Sequence, residues 1–493
     1  MTHMRDDTVQ APKRAQVQAQ MQALYLDGRW HHGGTPLEVV NPATSEVFAR
    51  VATVDRTGVR EAIDRADAAW RQWRARSGKE RGGHLHRIAQ VIERRADEIA
   101  RTITLENGKP LAQARAEVGM TVDHLGWFAE EARRAYGRFV SPQAPGKRHV
   151  VIHPPIGVVG AIAPWNFPLV LAVRKVAPAL AAGCPVVLKP ASATPLSAVR
   201  FAEAVHEAQV PAGVFQLVAG RAQEIAAEMF AHPACRKVTF TGSTEVGREL
   251  MRLAADRVTK LSLELGGNAP VIVFDDADLD QAVNGALITK FRNTGQSCIA
   301  GNRIYVQRGL FERFVAAFTE KTKALKVGSG LDEGVEIGPL LDNASVEAAV
   351  GYVEDARQAG ATVLCGGDRA AVGRGFFFEP AVLVDVPDEA RCMREEAFAP
   401  IAPIVPFDEE AEVIERANRT EYGLAAYLFT TNLGRAWRVA EALEAGTVGV
   451  NDAVPTTSQC PFGGMKESGV GRELGSEGLE AFLETKHISF GGI

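Results

Sequence analysis

Four short segments of the chain carry residue types that could do chemistry together. Asn293-Thr294-Gly295-Gln296-Ser297-Cys298 sets a cysteine on a glycine-bearing turn. Such a turn can expose a thiol and aim nearby N–H groups at a developing oxyanion, although an isolated cysteine is more often buried and inert. Pro164-Trp165-Asn166-Phe167-Pro168 holds an amide, a neutral donor, in a loop stiffened by two prolines. Alone it also reads as a packed aromatic turn. Glu264-Leu265-Gly266-Gly267-Asn268 places a carboxylate beside two glycines. In a cleft that carboxylate would have a raised pKa and suit a general base; elsewhere it is a surface acid. Phe240-Thr241-Gly242-Ser243-Thr244-Glu245-Val246-Gly247 reads as a strand-to-helix turn. Its N–H groups suit a phosphate, or they only start a capped helix. A Gly-x-Gly-x-x-Gly segment, the usual dinucleotide fingerprint, is absent from this region.

The combination is a thiol nucleophile, an oxyanion donor, a base and a phosphate cradle. A cysteine hydrolase or acyltransferase without redox chemistry is the alternative class. It needs a base for the thiol, typically His, and none of the 11 histidines falls in the four segments. A catalytically inactive protein of the same fold is the third reading, and the joint presence of Cys298, Glu264 and Asn166 argues against it.

Stepping along the chain, helical periodicity runs from Val59 to Trp73 and recurs at Leu85, Ile88, Val91, Ile92 and Ile99. From Ile156 strands and helices alternate. Strands are expected at Ile156–Ala163, Pro185–Leu188, Val214–Val218 and Lys237–Phe240, with helices at Leu169–Ala182, Pro195–Gln209, near Ala222–Phe230 and from Thr244. Apolar strands separated by helices predict a doubly wound, Rossmann-like parallel sheet, which binds ligands at the carboxyl ends of its strands. A second α/β unit starts at Pro270–Phe274, with a helix near Leu279–Phe291, the Cys298 loop and a strand at Arg303–Gln307. Two isolated strands, His149–His153 and Phe482–Phe490, predict a small sheet outside both units. The expected division is a disordered tail at 1–20, a cofactor domain at 21–140 and 155–265, a catalytic domain at 266–451, and oligomerisation strands at 141–154 and 479–493.

Composition sets limits on function. A formal charge of −5 and a pI near 6.2 offer nothing to nucleic acid or an anionic membrane. No apolar run approaches the roughly 18 residues of a membrane span, and the polar N-terminus does not read as a secretory signal. The six cysteines show no Cys-x-x-Cys or zinc spacing, so no metal site is expected and a cytoplasmic location is.

Together the four segments identify the chain as resembling the NAD(P)-dependent aldehyde dehydrogenase superfamily over essentially its whole length after the tail. Within it, the likeness is greatest to succinate-semialdehyde dehydrogenases, through Lys290-Phe291-Arg292-Asn293 before the cysteine loop. The resemblance implies that Cys298 attacks an aldehyde to form a thioester and that Asn166 and the Cys298 N–H hold the oxyanion. It makes Glu264 the activator of the hydrolytic water, and Lys175 and Glu473 a proton-handling pair. It implies cofactor contacts at Trp165, Lys189, Ser192, Gly242, Ser243, Glu396 and Phe398. Ser192 stands where NAD-preferring relatives often carry Glu, so NADP is the expected cofactor, with NAD as the alternative. Ala399 replaces the family's usual Gly, which puts local backbone geometry in question. Arg174, Arg292 and Thr456 or Thr457 match the group's carboxylate grip. The expected substrate is succinate semialdehyde; glutarate semialdehyde or a sulfonated short aldehyde suits the same anchor. Ala300 stands where some members carry a second cysteine, so no local disulfide switch is expected. The spare strands imply a homodimer or homotetramer.

Overall fold

A computed structural model of the chain describes residues 20–492. Of the expected tail, residues 1–19 lie outside the described residues, while Gln20 opens a short strand, Gln20–Gln22.

The cofactor unit is an eight-stranded sheet. Its centre holds five parallel strands in the order Lys260–Glu264, Cys235–Thr241, Val158–Ile162, Val186–Lys189 and Phe215–Leu217. Val158–Ile162 and Val186–Lys189 are buried at every residue, because helices cover both faces of a parallel sheet and leave no polar side. The helix Val170–Ala182 ends at Gly183 in the left-handed conformation at φ 102°, a stop that only glycine adopts at no steric cost. The sheet extends at both edges by antiparallel strands that sequence periodicity did not flag. Leu24–Leu26 and Arg29–His31 form a hairpin beyond Phe215–Leu217, and Gly469–Val470 pairs with Leu263 and Glu264. The latter returns a segment from beyond the catalytic unit to the cofactor sheet.

The catalytic unit is a seven-stranded sheet in the order Thr362–Cys365, Ala381–Val384, Ile401–Phe407, Gly301–Gln307, Ala269–Val273, Ala425–Phe429, Thr447–Val450, parallel except for its first member. The spare strands pair with each other: Lys147–Ile152 lies between Lys486–Gly491 and Arg138–Val140. Two expectations are corrected here. Arg138–Val140 belongs to this arm and not to the cofactor unit. The last strand starts at Lys486, not Phe482, because Phe482 is drawn into the core and its carbonyl accepts the Ile156 N–H at 3.0 Å.

Candidate active site

Register aligns the carboxyl ends of the parallel strands. Lys189 pairs with Ile162, Ile162 with Phe240, and Thr241 with Glu264. The strand order reverses between Val158–Ile162 and Cys235–Thr241, and the turns carrying Asn166 and Gly242–Ser243 leave from those two strands into one crevice. The crevice is a cavity of about 660 Å³. Trp165, Asn166, Lys189, Ser192, Gly242, Ser243, Glu396 and Phe398 line it, with Cys298 among them.

The cysteine loop is held in an unusual backbone state. Asn293, Thr294 and Gly295 are successively left-handed, at φ 52°, 57° and 73°. A β-branched threonine there is strained and needs support. The Asn293 side-chain amide donates to the carbonyls of Asn166 and Gln296 at 2.9 Å each, Gln113 accepts the Asn293 N–H at 2.7 Å, and the Thr294 hydroxyl donates to the Gly338 carbonyl at 3.2 Å. Past the cysteine, the Tyr427 hydroxyl donates to the Ile299 carbonyl at 2.8 Å. Gly267 permits the closest approach: a Cβ there would lie 2.3 Å from the Cys298 carbonyl oxygen. Ala399 abuts Gly295 and is absent from the residues with positive φ, so its methyl adds no backbone strain.

Burial pushes the Cys298 thiol up to about 12; Glu396 and Glu264 push the same way and Arg174 opposes them. The thiolate fraction of the cofactor-free protein is therefore small and grows tenfold per pH unit. Inactivation by iodoacetamide is expected to accelerate about tenfold between pH 7.5 and 8.5; a rate flat across that window would mean the thiolate is already formed.

Asn166 is buried, and its amide donates to the Gln296 carbonyl at 3.3 Å. Glu264 is 3% exposed, yet neither carboxylate oxygen has a hydrogen-bond partner among the described residues. Burial first, then the Glu473 charge, raises its pKa well above 4.5, while Lys175 and Arg174 restrain the shift. Lys175 donates to Glu473 and to the Thr241 hydroxyl, both at 2.6 Å.

A buried guanidinium group, Arg174, and a half-buried one, Arg292, flank the thiol. Arg174 lies 4.9 Å over the Phe462 ring, and its Nε has no partner among the described residues. Arg292 lies 5.2 Å over the Phe167 ring, and among the described residues its side-chain hydrogen bonding is limited to Met120 Sδ at 3.6 Å. Burial lowers the pKa of both. A structural ion-pair role, the plain alternative for such arginines, finds no carboxylate partner at either guanidinium among the described residues. Of the two threonines, Thr456 has a buried hydroxyl without a partner among the described residues, whereas Thr457 is tied to Gln459 at 2.6 Å.

The residues present fit a dinucleotide. Ser243 caps the helix Thr244–Ala255, whose N-terminus opens on the cavity, and Ala222, Ala226, Val246 and Leu250 offer apolar walls to a flat ring. Lys189, brought down to about 8 by burial, donates to the Pro190 carbonyl at 2.9 Å. Glu396, pushed up to about 8 mainly by burial, accepts the Gly267 N–H at 3.1 Å. Trp165 and Phe398 meet edge-on at 5.5 Å.

A supporting network lay outside the sequence reading. Lys109, 1% exposed, donates to Glu117 at 2.5 Å and to the Asn166 carbonyl at 2.8 Å. Glu117 in turn accepts the N–H groups of Leu169 and Val170 at 3.0 and 3.2 Å. The one available signal was a charged residue on the apolar stripe of its helix, beside Ala114, Val118 and Thr121. Cys460, read as packing, is exposed.

Residues 30–488 match the Aldehyde dehydrogenase family. The chain belongs to the aldehyde dehydrogenase family. Relatives of this aldehyde dehydrogenase include a glutarate-semialdehyde dehydrogenase of Pseudomonas aeruginosa, 48% identical over 96% of this chain and 98% of that one. The NADP(+) succinate-semialdehyde dehydrogenase GabD of Escherichia coli K12 is 48% identical over 95% of this chain and 98% of its own. A crystal structure of succinate-semialdehyde dehydrogenase from Burkholderia pseudomallei superposes with TM-score 0.94 at 44% identity, covering 95% of this chain and 98% of that one.

Proposed function

We propose that this NAD(P)-dependent aldehyde dehydrogenase oxidises succinate semialdehyde to succinate, with NADP preferred. The observation that carries the substrate is the pair of guanidinium groups beside Cys298, buried Arg174 and half-buried Arg292, neither with a carboxylate partner among the described residues. Unpaired buried charge is costly, and an ω-carboxylate would offset it through charge-assisted bonds. Thr456 offers a further hydroxyl donor. The name of the Pseudomonas relative keeps glutarate semialdehyde as the second reading.

In this mechanism Cys298 attacks as the thiolate, its thiol proton having passed to solvent, and its sulfur bonds to the aldehyde carbon. The Asn166 amide and the Cys298 N–H stabilise the oxyanion. Bound nicotinamide supplies hydride acceptance. A thioester on Cys298 remains. Glu264, its proton passed on toward the Lys175–Glu473 pair, takes a proton from water; the water oxygen bonds to the acyl carbon, and the C–S bond breaks to free the acid and the thiolate.

The cofactor preference rests on Ser192. It lines both the cofactor cavity and an adjoining one of about 930 Å³, whose lining also includes Arg221, paired with Glu224 at 3.4 Å. A 2′-phosphate beside Ser192 would have a hydroxyl donor and a loosely held guanidinium within the same space. Ser192→Glu is expected to lower kcat/KM for NADP about 100-fold by like-charge repulsion while leaving NAD within a few fold. An equal loss for both cofactors would count against this role.

The deciding assay follows absorbance at 340 nm with NADP and NAD, using succinate semialdehyde, glutarate semialdehyde and propanal. Turnover favouring propanal would sink the substrate assignment and leave the family chemistry intact. The arm carries exposed Phe139, Val140, Ile152 and Phe490 and two unpaired edges, which supports assembly into a homodimer or homotetramer, measurable by light scattering. Among the described residues no helix is long and apolar enough to cross a membrane, and the six free cysteines fit a cytoplasmic site of action.

A further inference from the structure

We propose that a second site, at the opposite end of the cofactor sheet from Cys298, binds a small polyanion bearing adjacent phosphate groups. The site is a cavity of about 460 Å³, within the range of small-molecule pockets and larger than one phosphate needs. Its walls come from the last turn of the helix Arg56–Ala75, the first turn of the helix Gly78–Arg94, the residues after the helix Leu111–Glu131, and the root of the arm. Arg74, Lys79, Arg81, Arg133 and His153 line it, and no carboxylate does. In a chain of net charge −5 this is a local excess against the overall sign.

The carboxylates close in sequence are engaged elsewhere. Glu80 binds back to Ser77 at the helix cap, Glu130 pairs with His86, and Glu131 with Arg134. Arg81 is the fixed element. It is 8% exposed, its Nε donates to the Ala181 carbonyl at 2.8 Å, and its Nη1 donates to the Arg76 carbonyl. Those two anchors lock the fork, and Nη2 has no protein partner among the described residues. Arg74 is held over the Trp70 ring at 4.9 Å. Gly78 packs so tightly that a Cβ would lie 2.1 Å from the Ala132 carbonyl oxygen, which closes the floor. The Ser77 hydroxyl accepts the Glu80 N–H, and Gly78 and Lys79 of the first turn line the cavity at the positive end of the helix. Planar guanidinium forks match phosphate oxygens in pairs, and one fixed guanidinium with three exposed cations around it suits a diphosphate better than a single carboxylate.

The position separates this site from catalysis. Pro155 and Ala182, which line it, precede the strands Val158–Ile162 and Val186–Lys189, whereas Asn166 and Lys189 leave their carboxyl ends. A bound anion would therefore leave the cofactor in place. It would also bridge the helices to His153, the residue that follows the arm strand Lys147–Ile152.

The test is calorimetric titration of the full chain, saturated with NADP, with inorganic pyrophosphate at constant ionic strength. The expected result is saturable binding that NADP does not alter. The Lys79→Glu/Arg133→Glu variant, whose exposed substitutions lie outside the catalytic machinery, is expected to bind at least about tenfold more weakly per lost contact, with unchanged kcat/KM for aldehyde. Absence of binding, competition by NADP, or equal affinity in the variant would each overturn the proposal. So would succinate binding at this site as tightly as pyrophosphate.

Discussion

Glu264→Gln is expected to give an enzyme that releases about one equivalent of reduced cofactor per subunit and then turns over roughly a thousandfold more slowly, the acyl group stranded on Cys298. The isosteric amide keeps the packing of a side chain that is 3% exposed but removes its proton affinity. The pH dependence separates this from a loss of fit. Burial and the Glu473 charge hold the Glu264 carboxyl protonated well above 4.5, so the base form grows as pH rises. Wild-type deacylation should climb with pH until the raised pKa is passed, and that limb should vanish in the amide variant. Stopped-flow absorbance at 340 nm with mass spectrometry of the quenched protein reads both. A variant that neither bursts nor carries an acyl adduct would assign Glu264 to the first half-reaction.

Arg292→Ala carries the second large effect. Charge-assisted bonds to a buried carboxylate contribute about 1.5–3 kcal/mol, so kcat/KM for succinate semialdehyde should fall by roughly 10- to 150-fold. For propanal the change should stay within a few fold. Arg292→Lys should recover little, because an ammonium lacks the planar fork that both spans a carboxylate and lies over the Phe167 ring at 5.2 Å. Equal losses for both aldehydes would make Arg292 a packing residue of the loop between Phe167 and Met120, and the anchor would have to be Arg174 alone.

What the sequence disclosed and what it withheld divide along physical lines. Cys298, Asn166 and Glu264 each sit in a contiguous segment whose glycines or prolines dictate the backbone; strand register aligns the Asn166 and Glu264 segments, and the Cys298 loop reaches the same cavity from the other sheet. The parallel strands were readable because burial on both faces forces continuous apolar runs. The hairpin of Leu24–Leu26 and Arg29–His31 was missed because strands of three residues show no period; the Asp27-Gly28 turn, at φ 49° and 76°, was the signal that could have found it. Phe482 read as strand because an apolar residue looks alike in a strand and in a core plug. Thr456 and Thr457 are chemically identical in sequence, and only the fold ties one to Gln459 and leaves the other free. Lys109 and Glu117 carry no motif: their meaning lies in a contact at 2.5 Å beneath the Asn166 turn.

The return of Gly469–Val470 and Glu473 to the sheet edge beside Glu264 has a bearing on synthesis at the ribosome. The nascent chain emits Asn166, Glu264 and Cys298 in turn, and the cofactor strands can pair as they emerge. The partner of Lys175, however, is 298 positions further along. Until that stretch arrives, the buried lysine has no counter-charge and one edge of the sheet has no cover. Chemical competence therefore comes late in translation. A reactive thiol assembled earlier would meet cellular aldehydes before the hydrolytic half of the machinery could release them.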